Sequence, residues 1–579
     1  MCQRQGCGIC GGSLALRFGG TRDALEASEL SPTYSARSHA DIYRCVDCGT
    51  LQQSALLGRA DLSELYREMR DGTYLSEEQG RRRTARRLLD MISEFVPTGR
   101  LLDVGCGHGL LLDEARSRGY QPTGLELSAA AAAYARDSLH LDVREIELEQ
   151  LDDGEQFNVI TLVDVLEHLG DPTAAVDRCR DLLSPGGLLC VVTPDPSSIV
   201  ARVASRRWWA LIPAHTCLIP HRTLLELLIA SGFAIAADVP FVRSFSATYW
   251  ITGLAQCAGS DARPVRALAR VLDKRLSLSL SLRDERVVLA SKVPVQLPPQ
   301  RLVNDRGGEL KVHVVLPAYN AARTIPLVAA KLPIASLDRA LLVDDASGDE
   351  TTQVALREGF EVIRHPANRG YGANQKTCYA RAALDGADVV VMVHADHQYD
   401  PALVPDMVRP ILEGRADVVI GSRLLNDRAI AGGMPRWKWL GNRFLTAIEN
   451  AVFRRSYSEY HTGYRAFSVD LLRSIAFLRN SDGFVFDQQI FAQIVARDAR
   501  TVELPIPTHY FLDASSVSFR ASVAYGLNTL WVLARFRADM RSRKWSLLRP
   551  PAVRLAARGG ADGQFAAIAS ASQSSPPER

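Results

Sequence analysis

VHVVLPAYNAARTI (residues 312–325), LLVDDASGDET (341–351), RHPANRGYGANQKTCYARAAL (364–384) and HADHQYDP (394–401) decide how this chain folds and what it handles. Three short apolar, β-branched runs (312–316, 340–343 and 389–393) each end in polar, loop-forming residues. Helical patterns separate them, which predicts βαβ units around a parallel sheet. In such sheets ligands bind beyond the carboxyl ends of the strands, where these polar clusters fall. Asp344 and Asp345 are suited to accept hydrogen bonds from a base edge and a ribose hydroxyl. Asp396 and Gln398 supply hard oxygen donors for a divalent ion bridging a diphosphate. Each acidic loop alone is ordinary; all of them in this order within one stretch point to a nucleotide-sugar.

With ADVVIGSRLL (416–425), GGMPRWKWLGNRFLT (432–446), YHTGYRAFS (460–468) and FVFDQQI (484–490), this half resembles glycosyltransferase family 2, across roughly residues 312–519. The nearer likeness is to the dolichol-phosphate-mannose-synthase-like branch, which uses polyprenyl-phosphate acceptors. The resemblance implies a GT-A fold and inverting transfer, with Pro317, Tyr319, Asn320, Asp344 and Asp345 at the nucleotide. It assigns Mg²⁺ or Mn²⁺ to Asp396 and Gln398, turns Arg423 and Arg465 to phosphates, and places Asp487 near the acceptor. His394 stands where the family usually has the first Asp of Asp-Ala-Asp. A sugar-hydroxyl acceptor would need Asp487 as a base. A phosphomonoester, already ionised at neutral pH, would not.

The chain has 579 residues, too many for one core. A formal net charge of +3 is no nucleic-acid signature, and no nucleic-acid partner is expected. No apolar run reaches the ~20 residues of a membrane span, so a cytoplasmic location is expected, with peripheral contact at the inner membrane face. The 11 cysteines then read as thiols or metal ligands. Cys7-Gly-Ile-Cys10 and Cys45-Val-Asp-Cys48 are two CxxC knuckles, each followed by Gly, and suit a tetrahedral structural zinc. Residues 21–40 are expected to loop out of this ribbon.

RLLDVGCGHGLLLDEARSRGYQPTGLELS (100–128) predicts a strand, a glycine turn, a helix and a second strand ending at Glu126. GxGxG alone also fits a dinucleotide fold. Together with Asp103, FNVITLVDVLEHLGDP (157–172) and LLSPGGLLCVVTPD (182–195), it resembles class I S-adenosylmethionine-dependent methyltransferases over roughly residues 99–242. The subgroup with an N-terminal zinc segment, common in sugar tailoring, fits best. The likeness carries Asp103, Gly105, Gly107 and Glu126 to the cofactor, with Asp164 lining the site. His168, His215 and His221 are candidate bases. His215 matches a His of sugar methyltransferases, while Ala214 replaces the Glu of carbon-methylating relatives. Tyr74 is a second active-site candidate, and Arg81–83 with Arg86 and Arg87 read as a solvated face.

The expected α/β architecture is therefore a zinc ribbon (1–60), a Rossmann-like methyltransferase (61–291), a linker (292–309) and a GT-A domain (310–520). A basic amphipathic helix (521–550) and a disordered tail (551–579) follow. Residues 244–286 read as mostly helical, with SLSLSL (277–282) alternating at a strand period. Trp437 and Trp439, among Arg436, Lys438 and Arg443, suit either a membrane interface or internal packing. The basic helix has the same two readings. The functional expectation is a bifunctional enzyme of glycan or glycolipid assembly. It would methylate a sugar or lipid-linked acceptor and transfer a sugar from a nucleotide-sugar to polyprenyl phosphate. The alternative is a glycosyltransferase acting on a sugar hydroxyl, with a degenerate, scaffolding methyltransferase half.

Overall fold

The structure is a computed structural model describing residues 6–20, 39–54, 59–70, 74–251, 277–302, 310–425, 434–507, 519–542, 545–551, 553 and 555. Of the loop expected at 21–40, residues 21–38 lie outside the described residues, as do 556–579 of the expected tail; the disorder expected from 551 does not hold at Leu555, which is buried and accepts from Arg473. The ribbon strands Leu14–Phe18, Ile42–Cys45 and Leu51–Gln53 pair in antiparallel succession. The two-residue strand Cys217–Leu218, far along the chain, adds to the last of them. Cys7, Ile9, Cys45 and Cys48 share one apolar core with Leu102, Phe157 and Leu227, so the ribbon is built onto the domain that follows it.

The first large sheet runs Asp142–Arg144, Tyr120–Leu125, Gly99–Val104, Phe157–Val163, Leu183–Pro194, Glu285–Ser291, Ala234–Pro240. Its first five strands are parallel. Glu285–Ser291 is antiparallel to both neighbours. The helical reading of 244–286 holds at residues 247–251 and fails at 244–246 and from 277 onward, which are strand or loop. Arg243–Ser246 pairs with Ser277–Leu280 as an antiparallel ribbon. The alternation of small and apolar side chains in SLSLSL belongs to a strand, and the VVLA run at its far end fills a buried sheet position.

The second sheet runs Glu361–Arg364, Arg339–Asp344, Val312–Ala318, Val389–Met392, Arg465–Ser468, Val418–Ser422, Thr501–Pro505. The three strands anticipated from the sequence are central and parallel. Arg465–Ser468 is inserted antiparallel to both its neighbours. The polar loops carrying Asn320, Asp345 and Asp396 therefore all leave the carboxyl edge of this sheet.

The helix His221–Ala230 lies between the halves, with Ile229 and Ala230 packed against the second core. There Glu226 meets Arg479 at 2.7 Å, both side chains fully enclosed. Residues 545–555 run alongside: Arg479 donates to the Ser546 carbonyl at 2.9 Å and Arg549 to the Val46 carbonyl at 2.7 Å. No helix among the described residues is long and apolar enough to cross a membrane.

Candidate functional sites

The four knuckle sulfurs converge, with Cys7 3.6 Å from Cys48 and Cys10 3.4 Å from Cys45. Gly11 and Gly49 take φ of +70° and +81°, the conformation each knuckle needs to turn back under its sulfurs. The Ile9 and Gly12 N–H groups point at Cys7 and Cys10 sulfurs at 3.5 and 3.4 Å. A tetrahedral ion with Zn–S bonds of ~2.3 Å needs sulfurs roughly 3.8 Å apart, so these four residues could hold one.

In the first domain a cavity of 570 Å³ opens where Gly99–Val104 ends. The turn that follows is possible only with glycine: Gly105 has φ +67°, and a Cβ there would lie 2.7 Å from Val165. Glu126 closes the loop, accepting from the N–H groups of Gly107 at 2.8 Å and Ser128 at 2.7 Å. Its burial still raises its pKa against these bonds. Asp103 is buried and accepts from the Thr161 hydroxyl at 2.6 Å; burial pushes its pKa up to about 7. Asp164, at φ +57°, lines the cavity with its carboxylate gripped by Arg243, which also bridges Glu285.

Tyr74 lines the same cavity, stacked on His108 with ring centroids 4.6 Å apart. His168 lines it too, its Nδ1 at 2.9 Å from the Tyr66 hydroxyl and 3.1 Å from the Ala214 carbonyl. Burial lowers its pKa to about 4, so the ring is neutral across physiological pH. His215 is not among the cavity residues: it sits behind His168, ring to ring at 4.7 Å, with Nδ1 on the Ala210 carbonyl. His221 is bound to Asp238 at 2.9 Å, also away from the cavity lining.

The solvated-arginine reading fails at Arg81 and Arg82. On the helix Glu78–Ser93, Arg81 shares the cavity face with Thr84, Ala85 and Leu88. Its guanidinium lies 3.8 Å over the Tyr74 ring, and its Nε has no hydrogen-bond partner. Arg82 bridges Glu78, Asp113 and Glu114. Arg81 is the functional candidate the sequence reading missed. Its helical phase with Leu88, not its charge, was the available signal.

In the second domain Tyr319 is 57% exposed, and Asn320, at φ +51°, accepts from the Gly348 N–H at 3.0 Å. Pro317 ends the central strand beside them, in register with Val343. Asp344 is buried, accepting from the Ser347 N–H at 2.9 Å and Thr352 at 2.5 Å. Asp345 accepts from the N–H groups of Arg369 and Gly370, and pairs with His365 at 2.7 Å. Both acids therefore hold the loops in shape with the oxygens expected to face a nucleotide. Asp396 is half-buried and spends one oxygen on the Gln398 N–H at 3.1 Å. Its other oxygen with the Gln398 amide is a hard donor set that fits Mg²⁺ or Mn²⁺.

The two arginines assigned to phosphates are paired inside the protein. Arg423 is gripped by Glu459. Arg465 is fully buried and donates to Asp487 at 2.9 Å. Gln375 donates to the same Asp487 oxygen at 3.1 Å, and Tyr371 reaches the other at 3.4 Å. The tryptophans divide: Trp439 packs against Leu424 and Met434, while Trp437 is exposed with Leu440 and Phe444 on the helix Arg436–Phe453. The adjoining helix Phe519–Ser542 exposes Leu527, Leu530 and Trp531.

Residues 76–237 match the model of a methyltransferase domain, and residues 313–476 that of glycosyl transferase family 2. The chain joins a methyltransferase domain to a family 2 glycosyltransferase domain. Its architecture is the one expected, a Cys₄ ribbon and two α/β sheets. Among similar proteins, the low-salt glycan biosynthesis hexosyltransferase Agl6 of Haloferax volcanii is 30% identical over 34% of this chain and 47% of its own length. The UDP-N-acetylglucosamine–dolichyl-phosphate N-acetylglucosaminyltransferase of Methanococcus voltae is 28% identical over 28% of this chain and 72% of its own. The ubiquinone biosynthesis O-methyltransferase of Alkalilimnicola ehrlichii is 42% identical over 15% of this chain and 38% of its own. The chain thus spans less than half the length of two of these three relatives.

Proposed function

We propose that the chain is a bifunctional transferase of glycan or glycolipid assembly, in which each half works on its own cofactor. The observation that carries the methyltransferase reading is the 570 Å³ cavity at the glycine turn, with Asp103, Glu126 and Tyr74 on its wall. A scaffolding remnant would not need left-handed glycines and buried acids around an open space. S-adenosylmethionine would lie with its ribose at Glu126 and its carboxylate against the free edge of Arg81. Bound there, the cofactor would supply the methyl group; the protein would align the acceptor, with His168 on the cavity wall as the candidate base for a hydroxyl.

In the second half, Asp396 and Gln398 would hold Mg²⁺ or Mn²⁺ at the diphosphate of a nucleotide-sugar, with Tyr319 exposed beside the base. Asp487 would orient the acceptor. A polyprenyl phosphate is favoured as acceptor by the apolar exposure of Trp437, Leu440, Phe444, Leu527, Leu530 and Trp531 on two adjoining helices. Lys438 and Arg443 beside them would meet anionic headgroups, placing the protein peripherally on a membrane. The four cysteines would hold a structural zinc.

The test supplies the purified protein with radiolabelled UDP- and GDP-sugars, Mn²⁺ and a short polyprenyl phosphate, followed by solvent extraction. Acid-labile label in the organic phase, lost in Asp396→Ala, is expected. Label moved only to a soluble sugar would replace the lipid acceptor with a hydroxyl.

A further inference from the structure

His394 occupies a position beside the metal loop, yet its surroundings turn it to another task. Its ring is pinned edge-on between Tyr371 and Tyr399, with centroids at 5.9 and 5.2 Å. A Cβ at residue 463 would lie 2.1 Å from its Nε2, so only glycine lets the Thr462–Tyr464 backbone pass this close. The same Nε2 lies 3.2 Å from the Tyr371 hydroxyl. That hydroxyl lies 3.4 Å from Asp487 Oδ2.

Read as two hydrogen bonds, these contacts order the protons along the line. A carboxylate only accepts, so Tyr371 must donate its single proton to Asp487. Its oxygen then accepts from His394, which puts the hydrogen on Nε2 and leaves the ring's lone pair on Nδ1. Gln375, one helical turn beyond Tyr371 on the helix Tyr371–Leu384, donates to Asp487 Oδ1 alongside Arg465. Asp487 is thereby held on both oxygens, one of them through a line that begins at the metal loop.

We propose that Tyr371 and His394 are a positioning pair that fixes Asp487 relative to the Asp396 loop, and that His394 acts through Tyr371. The proposal rests on reading this half as a metal-dependent sugar transferase. Neither residue touches the reacting atoms; they set the distance between the metal side and the acceptor side. In a transferase, misplacing one side costs turnover before it costs donor binding.

The full chain is the sample, with UDP or GDP and Mn²⁺ as probes and free Mn²⁺ read by electron paramagnetic resonance. Tyr371→Phe removes one oxygen and keeps the ring, which stacks on Phe484 at 5.1 Å. It should lower kcat by about 10-fold or more with donor KM changed less than about threefold. His394→Ala should do the same while Mn²⁺ affinity in the presence of nucleotide stays within about threefold. The double variant should be no worse than either single one, and His394→Gln, which restores an N–H donor, should recover part of the rate. Three results would overturn the pairing. These are a loss of Mn²⁺ affinity of about 10-fold or more in His394→Ala, wild-type turnover in Tyr371→Phe, or losses that multiply in the double variant. A wild-type chain that binds Mn²⁺ with neither nucleotide would contradict the sugar-transferase reading itself, and the pair's role with it.

Discussion

The two halves prepare their chemistry in opposite ways. The methyltransferase half keeps an open cavity and leaves functional groups facing it: Asp103 protonates near neutrality, His168 stays neutral and Arg81 has an unused Nε. The glycosyltransferase half closes its charges on one another. Arg423 is held by Glu459, Arg465 by Asp487, and Asp345 by two backbone N–H groups and His365. At its cavity the first half keeps Asp103 and Glu126 buried without a charged partner, although Asp164 there is paired with Arg243; the second relies on buried pairs whose members are expensive to separate. The first is a receptacle for a diffusible cofactor. The second is a rigid frame whose arginines set the shape of the site.

That contrast breaks most sharply if the pairs are dispensable. Arg465→Met strands the Asp487 carboxylate in the interior and is expected to unfold the second half or destabilise it by about 3 kcal/mol or more. Denaturant titration of this variant against Arg465→Met/Asp487→Leu, which removes both charges, checks it. Recovery of stability but not of sugar transfer in the double variant is the expected result.

In the receptacle half the effect falls on binding. Gly105→Ala forces a Cβ to 2.7 Å from Val165 at φ +67° and should weaken S-adenosylhomocysteine binding by about 100-fold, read by calorimetry. The ribbon sits between the two regimes, since its sulfurs share the methyltransferase core. Cys45→Ser should release the metal and lower the melting temperature of the first half by about 5 °C or more. Arg81→Met should cost S-adenosylhomocysteine about 10-fold in affinity and leave 5′-methylthioadenosine, which lacks the carboxylate, unchanged.

The smallest effect is a pH dependence. Asp103 has its folded pKa raised from 3.8 to about 7, so the unfolded chain releases this proton first. Its contribution to stability is fully present below pH 4 and is lost as pH rises towards 7. Asp103→Asn should therefore flatten the fall in melting temperature of the unliganded protein between pH 4 and 7.

What could be read in advance was what the backbone writes into the sequence. Gly105, Gly107 and the two CxxC-Gly turns announce themselves because glycine takes these left-handed conformations without the cost a side chain brings. The alternation of apolar runs with polar loop ends gave the parallel strands of both sheets. Partners in space were not legible. Nothing in YHTGYRAFS says that Arg465 is buried against Asp487 from another helix rather than turned to a phosphate. A His in a matched motif does not reveal that His168 stands in front of His215. In the arginine-rich helix, charge suggested solvent, and only the phase with Ala85 and Leu88 places Arg81 inward. The strand Arg243–Ser246 was lost to a helical reading because its partner is distant in sequence.

The claim on which the rest depends is that one chain carries two working sites. Calorimetry on a single sample addresses it directly: S-adenosylmethionine is titrated first, then UDP or GDP in the presence of Mn²⁺. One site of each kind per chain is expected, with the nucleotide signal lost in Asp396→Ala and the S-adenosylmethionine signal intact in that variant. A chain that binds the nucleotide but shows no heat with S-adenosylmethionine would contradict it, and would make the first half a scaffold.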